Sequence, residues 1–366
     1  MRYRTYPNTD ISVSEVGFGT WTVSAGWWGD FTDEQAIELL RKAKGLGITF
    51  FDAADSYGNG RAEELVGRAF RENRGEVTIA TKVGYDFYNN PERRRGQREI
   101  PQSWSPDYIR HAVEQSLERF GTDVIDIVAF HNAKMEQVDD DALWEAFERL
   151  KEEGKIRHWG AALGPSNGYL VEGMDLIRRR RVGSLQLINN VLEPYPGQAL
   201  TEAAEETGGT GIMVRVTHSS GMLEGHYTED TTFDKNDHRR HRPRSWLING
   251  LKKIESLGFM HEGRDMTLGQ AALKWLLASP AVMTTLPNIY NEAQLEEFAA
   301  APDKQDLTAE DLQRVAELQR TNFGVHEEHM RYKGTLHRAG EPLIAPPYRY
   351  EGDNWEEMER ETAGAA

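Results

Sequence analysis

The chain has 366 residues, 39% hydrophobic and 28% charged, with 34 glycines and no cysteine; this excludes collagen, coiled-coil and disordered classes, and disulfides, thiolate–zinc sites and cysteine nucleophiles with them. A formal charge of -16 opposes nucleic acid and anionic membranes as partners, and no apolar run approaches the roughly 20 residues of a spanning helix. The N-terminus, Met1-Arg2-Tyr3-Arg4-Thr5, lacks a secretory apolar stretch, so a reducing cytoplasm is the expected location.

In chain order, residues 3–6 and 11–14 around Pro7-Asn8-Thr9-Asp10 read as a small hairpin, expected under the fold as a lid. Residues 15–20 read as a strand. Thr32 with Gln35 forms a capping-box signature, and Ile37, Leu40 and Lys44 follow at helical spacing. Residues 48–52 and 77–82 read as strands around a helix at 62–72. Ser105-Pro106 supplies an N-cap and an N1 proline for a helix running to Phe120. Strands follow at 124–130, 156–161, 185–189, 211–216 and 282–286, each leading into a helical stretch. Eight such units imply parallel pairing and favour a closed (β/α)8 TIM barrel, which leaves no edge strand. We expect one domain over 1–366, the barrel at about 13–320 and an extension at 321–366. The polar stretches 85–104 and 224–245 exceed ordinary connectors and follow strands, which places them on the C-terminal face where barrels keep their chemistry. The tail, with Tyr348, Tyr350 and Trp355, either wraps over the barrel or contacts another subunit, so a homo-oligomer is an open expectation.

Asp52, Lys82 and His131 end successive strands and Tyr57 lies in the loop after the first of them. A barrel brings all four to one mouth. An ammonium beside a phenol favours its ionisation; Asp52 can hold Lys82, His131 can hydrogen-bond a carbonyl, and Tyr57 can act as general acid or base. Singly, each has an ordinary reading as a turn cap, a surface charge or a packing residue; together, four coincidences on one rim are required.

The segments Val16-Gly17-Phe18-Gly19-Thr20-Trp21, Phe51-Asp52-Ala53-Ala54-Asp55-Ser56-Tyr57-Gly58, Thr81-Lys82-Val83-Gly84, Asp126-Ile127-Val128-Ala129-Phe130-His131, Gly154-Lys155-Ile156-Arg157 and Gly221-Met222-Leu223-Glu224-Gly225 make the chain resemble the aldo-keto reductases from about Val13 to Arg320. The resemblance implies a barrel that binds NAD or NADP without a Rossmann motif, and a tetrad of Asp52, Tyr57, Lys82 and His131. It implies cofactor contacts at Thr20, Trp21, Gln186, Arg215, Thr217, Leu223, Asn288 and Gln294; the aromatics at the rim add expected substrate contacts at Trp21, Trp28 and Tyr85, and no metal is expected. The substrate is a small carbonyl or alcohol, sugar-like or aromatic.

Departures from the family pattern qualify this. Ala162-Leu163 stands where the family has a Ser-Asn pair for the nicotinamide amide; Ser166-Asn167 is the nearest substitute. Arg215 replaces a common stacking aromatic. Asn288, Gln294 and Phe298 offer no positive charge to a 2′-phosphate, so the expectation leans to NAD unless another group takes the phosphate. The run His238-Arg239-Arg240-His241-Arg242-Pro243-Arg244 is either such a clamp or a solvated loop balancing Asp230, Asp234 and Asp237. His238 with His241 and His326 with His329 have metal-like spacing but no matching ligand set. Trp21, Trp27, Trp28, Tyr85 and Phe87 form either a substrate wall or packed loops. Two other functions use the same residues: redox-neutral elimination or epimerisation by Tyr57 and Lys82, and a binding module that senses nicotinamide redox state.

Overall fold

The computed structural model describes residues 1–91, 99–235, 237–328, 330–338, 340–349 and Trp355, with the side chain of His241 outside that set; the expectations for His329 and Tyr350 and for the side chain of His241 lie outside the described residues. An antiparallel hairpin of β1 (Tyr3–Thr5) and β2 (Ser12–Ser14) precedes eight parallel strands. These are β3 (Phe18–Gly19), β4 (Phe50–Asp52), β5 (Thr78–Val83), β6 (Ile125–His131), β7 (Ile156–Ala162), β8 (Ser184–Ile188), β9 (Gly211–Arg215) and β10 (Val282–Leu286), hydrogen-bonded in sequence order. The ring closes at the seam, where Gly17 donates to the Thr285 carbonyl and Thr285 to that of Glu15, each at 2.9 Å. The fold is the (β/α)8 barrel with an N-terminal hairpin lid.

Helices follow the strands where the periodicity places them, and their ends show why. Thr32 and Gln35 form the capping box of helix Asp33–Gly45. Ser105 accepts from Tyr108 N, 3.2 Å, at the start of Pro106–Phe120, which ends on left-handed Gly121. Two boundaries differ from expectation. The strand read at 15–20 is ladder-bonded only at Phe18–Gly19, because the chain there switches from β10, by a single bridge at Val16, to β4. The polar stretch 224–245 is not wholly loop: a turn of 3-10 helix at His238–His241 precedes helix Arg244–Glu255.

Alternation along each strand turns Phe50, Ala80, Ile127 and Met213 inward, where they meet Tyr6 from the hairpin in one apolar cluster. Gly211 makes room for that ring; a Cβ there would lie 2.5 Å from Tyr6 Cδ1. Arg4 fixes the hairpin beneath the barrel, donating to the carbonyls of Leu277, Ser279 and Val282 at 2.6–2.7 Å. At the other end of the chain the described part of the tail runs against helix Leu170–Arg178, with Thr335 bound to Glu172, Arg338 to Asp175, and the Ile344 carbonyl to the Tyr195 hydroxyl. Trp355 is buried edge-on to Tyr195.

Candidate active site

The same alternation that buries Phe50 and Ala80 carries Asp52 and Lys82, two residues further on, to the upper end of the barrel interior, and Ile127 leads likewise to His131. Lys82 Nζ donates to both carboxylate oxygens of Asp52, 2.8 Å each, and to the Ala53 carbonyl, 2.7 Å. The pair is buried. Burial alone would discharge the amine, but Asp52, then Tyr57, outweigh it and hold its pKa above the ordinary lysine value. Tyr57 stands above, its ring centre 5.0 Å from Nζ and 5.6 Å from the His131 ring. Among the described contacts of Nζ none is a hydrogen bond to the Tyr57 hydroxyl, so Lys82 acts on Tyr57 through its field.

His131 is buried; burial, then the charges of Lys82 and Arg215, hold its pKa well below the ordinary histidine value. It is therefore neutral at pH 7, able to donate a hydrogen bond but not to deliver a proton readily. Its Nδ1 lies 3.4 Å from Ser56 Oγ, and the Tyr85 ring packs edge-on at 4.7 Å. The Tyr85 hydroxyl donates to Glu99 and accepts from Asn132 Nδ2 at 2.8 Å. Burial, then Glu99, pushes its ionisation far up, so this phenol stays neutral.

The remaining expected contacts are placed as follows. Thr20 is buried and donates to the Asp52 carbonyl, 2.9 Å. Among the described residues the Gln186 amide has only the Met213 sulfur, at 3.8 Å. Arg215 ends β9 and donates to the carbonyls of Leu163 (2.9 Å) and Pro165 (3.3 Å). Asn167 is drawn to the tail at Met330. Thr217 and Leu223 are buried on the turn after β9, where Ser219, Ser220 and Gly221 have φ of 47°, 57° and 93°. Asn288 is partly buried after β10. Gln294 is buried and donates to Glu224 Oε2, 2.9 Å.

The long loop after this turn folds back onto it. Tyr227 donates to the Ser220 carbonyl at 2.7 Å, and Arg242 reaches Ser220 Oγ at 3.2 Å and Glu193 at 3.5 Å. Arg239 pairs with Asp237 at 2.6 Å while lying 4.7 Å over Trp28. Two arginines of the basic run thus have acidic partners. Trp21 stacks with Trp27 and meets His238 edge-on, whereas Trp28 is buried between Arg239 and Tyr290, 5.4 Å away. Phe87 turns to Tyr88. Among the described residues no set of His, Asp and Glu converges to hold a metal ion.

Sequence reasoning missed three features here: Glu99 and Asn132 holding Tyr85, Glu193 under the turn after β9, and the second oxygen of Glu224, buried without a partner. Each depends on contacts between distant segments and has no local motif.

A barrel whose mouth holds a charged lysine, a phenol and a neutral histidine is suited to the proton exchange that oxidoreductases of carbonyls and alcohols need. The comparisons agree. The model of the Aldo/keto reductase family matches residues 15–320. Aldo-keto reductase YhdN of Bacillus subtilis (strain 168) is 30% identical over 306 residues, 81% of this chain and 87% of that protein. Aldo-keto reductase yakc of Schizosaccharomyces pombe, whose name carries NADP(+), is 30% identical over 319 residues, 84% and 89% of the two chains. The holo structure of aldo-keto reductase AKR11C1 from Bacillus halodurans superposes with a TM-score of 0.70 at 27% identity, covering 87% of this chain and 96% of that one. The chain belongs to the aldo/keto reductase family, whose members are oxidoreductases that use nicotinamide cofactors.

Proposed function

We propose that this protein interconverts a carbonyl and an alcohol, with Tyr57 as the proton donor and acceptor. The observation that carries the reading is Lys82, held charged by Asp52 and Ala53 at 5.0 Å from the Tyr57 ring and beside neutral His131. In the reductive direction the Tyr57 hydroxyl gives its proton to the carbonyl oxygen, and the fixed charge of Lys82 stabilises the phenolate left behind. His131 donates a hydrogen bond to the same oxygen and orients it. The chemistry supplied by a bound nicotinamide dinucleotide is hydride exchange with the substrate carbon. Trp21, partly exposed, offers aromatic surface to a sugar-like or aromatic substrate, whereas Tyr85 is buried behind His131.

The residues present fit a dinucleotide. Thr217 and Leu223 stand on a turn of left-handed residues beside β9, and Gln186 keeps a nearly unengaged amide. Asn288 and Gln294 lie after β10. The buried, unpartnered Oε1 of Glu224 can hydrogen-bond a ribose hydroxyl, and its carboxyl, next to Gln294 and ionised above about pH 7, opposes a 2′-phosphate. This supports NAD; the NADP(+) in the name of the yeast relative makes the phosphorylated cofactor the competing outcome. Titration with NADH and NADPH, read by tryptophan fluorescence, tests binding and preference, with quenching expected to be tighter for NADH. Absence of quenching by both would end the reading. Dinucleotide-linked carbonyl reduction lost in Tyr57→Phe tests the chemistry.

A further inference from the structure

Arg215 occupies an unusual position for a cation. Register with Ile188 and Leu286 sets it one inward step above Met213, so its guanidinium enters the mouth of the barrel. One nitrogen, Nη2, is held by the carbonyls of Leu163 and Pro165 at 2.9 and 3.3 Å. The backbone is shaped for that crossing: a Cβ on Gly164 would fall 2.3 Å from Nη2 and 2.7 Å from Asn132 Oδ1. Among the described residues no other guanidinium nitrogen of Arg215 is hydrogen-bonded, and none lies at ion-pair distance from a carboxylate. The acids nearby are engaged elsewhere, Asp52 by Lys82 and Glu99 by the Tyr85 hydroxyl. The mouth therefore presents a partly buried guanidinium without an ion-pair partner among the described residues, in a protein of net charge -16. An unpaired cation withdrawn from water is costly unless a ligand supplies the counter-charge.

We infer that Arg215 anchors an oxyanion, a carboxylate or phosphate, carried by the carbonyl substrate. Nη1 and Nε each keep N–H bonds able to make charge-assisted hydrogen bonds to such a group, and His131 and Tyr57 lie at the same mouth to receive the carbonyl. The inference rests on the carbonyl–alcohol reading of the site and narrows its substrate to acidic aldehydes or ketones and the corresponding alcohols.

The test separates the two. Calorimetric titration with benzoate and with benzamide, with and without NADH, needs no turnover; the protein should prefer benzoate by about tenfold or more, the scale of one charge-assisted hydrogen bond. That ratio should collapse in Arg215→Met and be partly kept in Arg215→Lys. In steady state, the ratio of kcat/KM for 4-carboxybenzaldehyde over benzaldehyde should fall by a similar factor in Arg215→Met, chiefly through KM. No benzoate preference in the wild type overturns the inference, and so does a preference that survives in Arg215→Met. Weakened NADH binding with the benzoate ratio intact also overturns it, assigning the guanidinium to the cofactor. Retained carbonyl reduction in Tyr57→Phe overturns the parent reading while leaving the benzoate result to stand.

Discussion

The ammonium of Lys82 sits 5.0 Å from the centre of the Tyr57 ring, yet its hydrogen bonds go to Asp52 and Ala53. The lysine is thus a fixed charge rather than a hydrogen-bond partner of the phenol. Tyr57→Phe should lower kcat by roughly a hundred- to ten-thousand-fold, the usual contribution of a placed general acid, while NADH binding followed by fluorescence persists. Lys82→Met should lose comparable activity and also stability, by about 3–5 kcal/mol, because Asp52 is left buried without its cation; a thermal melt distinguishes the two variants.

His131 makes stability depend on pH. Its folded pKa lies well below the ordinary 6.5, so on acidification the unfolded chain takes up a proton that the folded protein refuses. The stabilisation is present above about pH 6.5 and declines as pH falls, at about 1.4 kcal/mol per unit until the folded pKa is reached. Urea unfolding of wild type and His131→Asn at about pH 8 and about pH 5 should show a steeper acid loss in the wild type.

Glu224 works in the opposite sense. Burial pushes its carboxyl up to about 7 from 4.5, against the hydrogen bond from Gln294. The folded protein then holds a proton that the unfolded chain releases, so stability declines as pH rises from 4.5 through 7. The 2.5 units between those values correspond to roughly 3 kcal/mol. Glu224→Gln should be more stable than wild type by up to that amount at about pH 8 and indistinguishable below about pH 4.5. The same variant should narrow the gap between NADH and NADPH affinity, since it removes the carboxylate beside Gln294.

Tyr6 fills the barrel interior through its ring, and its buried hydroxyl has no geometrically sound partner. Tyr6→Phe should be neutral or slightly stabilising, because a buried hydroxyl without a hydrogen bond contributes nothing. Tyr6→Ala should cost about 3–5 kcal/mol by emptying the space against Gly211. Chemical denaturation of both variants checks the contrast.

The barrel was legible in the sequence because its signal is local and repeated: each β-branched run followed by a 3.6-residue apolar stripe stands on its own, as at Val282–Leu286, and Thr32 and Ser105 mark helix starts by their own side chains. Asp52, Lys82 and His131 could be gathered to one mouth for the same reason, since strand ends in a barrel share a face. The loops were not legible. Whether Trp28 faces a ligand or Arg239, and whether Arg242 meets a phosphate or Glu193, depends on how residues 225–243 fold back across the barrel. Seam strand β3 was overestimated because its residues divide their hydrogen bonds between two neighbours.

The hairpin under the barrel governs traffic. With Tyr6 plugging the axis and Arg4 tied to three carbonyls at the lower rim, the proposed chemistry is confined to the opposite end of the barrel. On the reading proposed above, a dinucleotide bound at that end would lie under the segment that folds back after β9, and steady-state inhibition patterns of a compulsory order, with the nucleotide as the leading reactant, are the expected outcome.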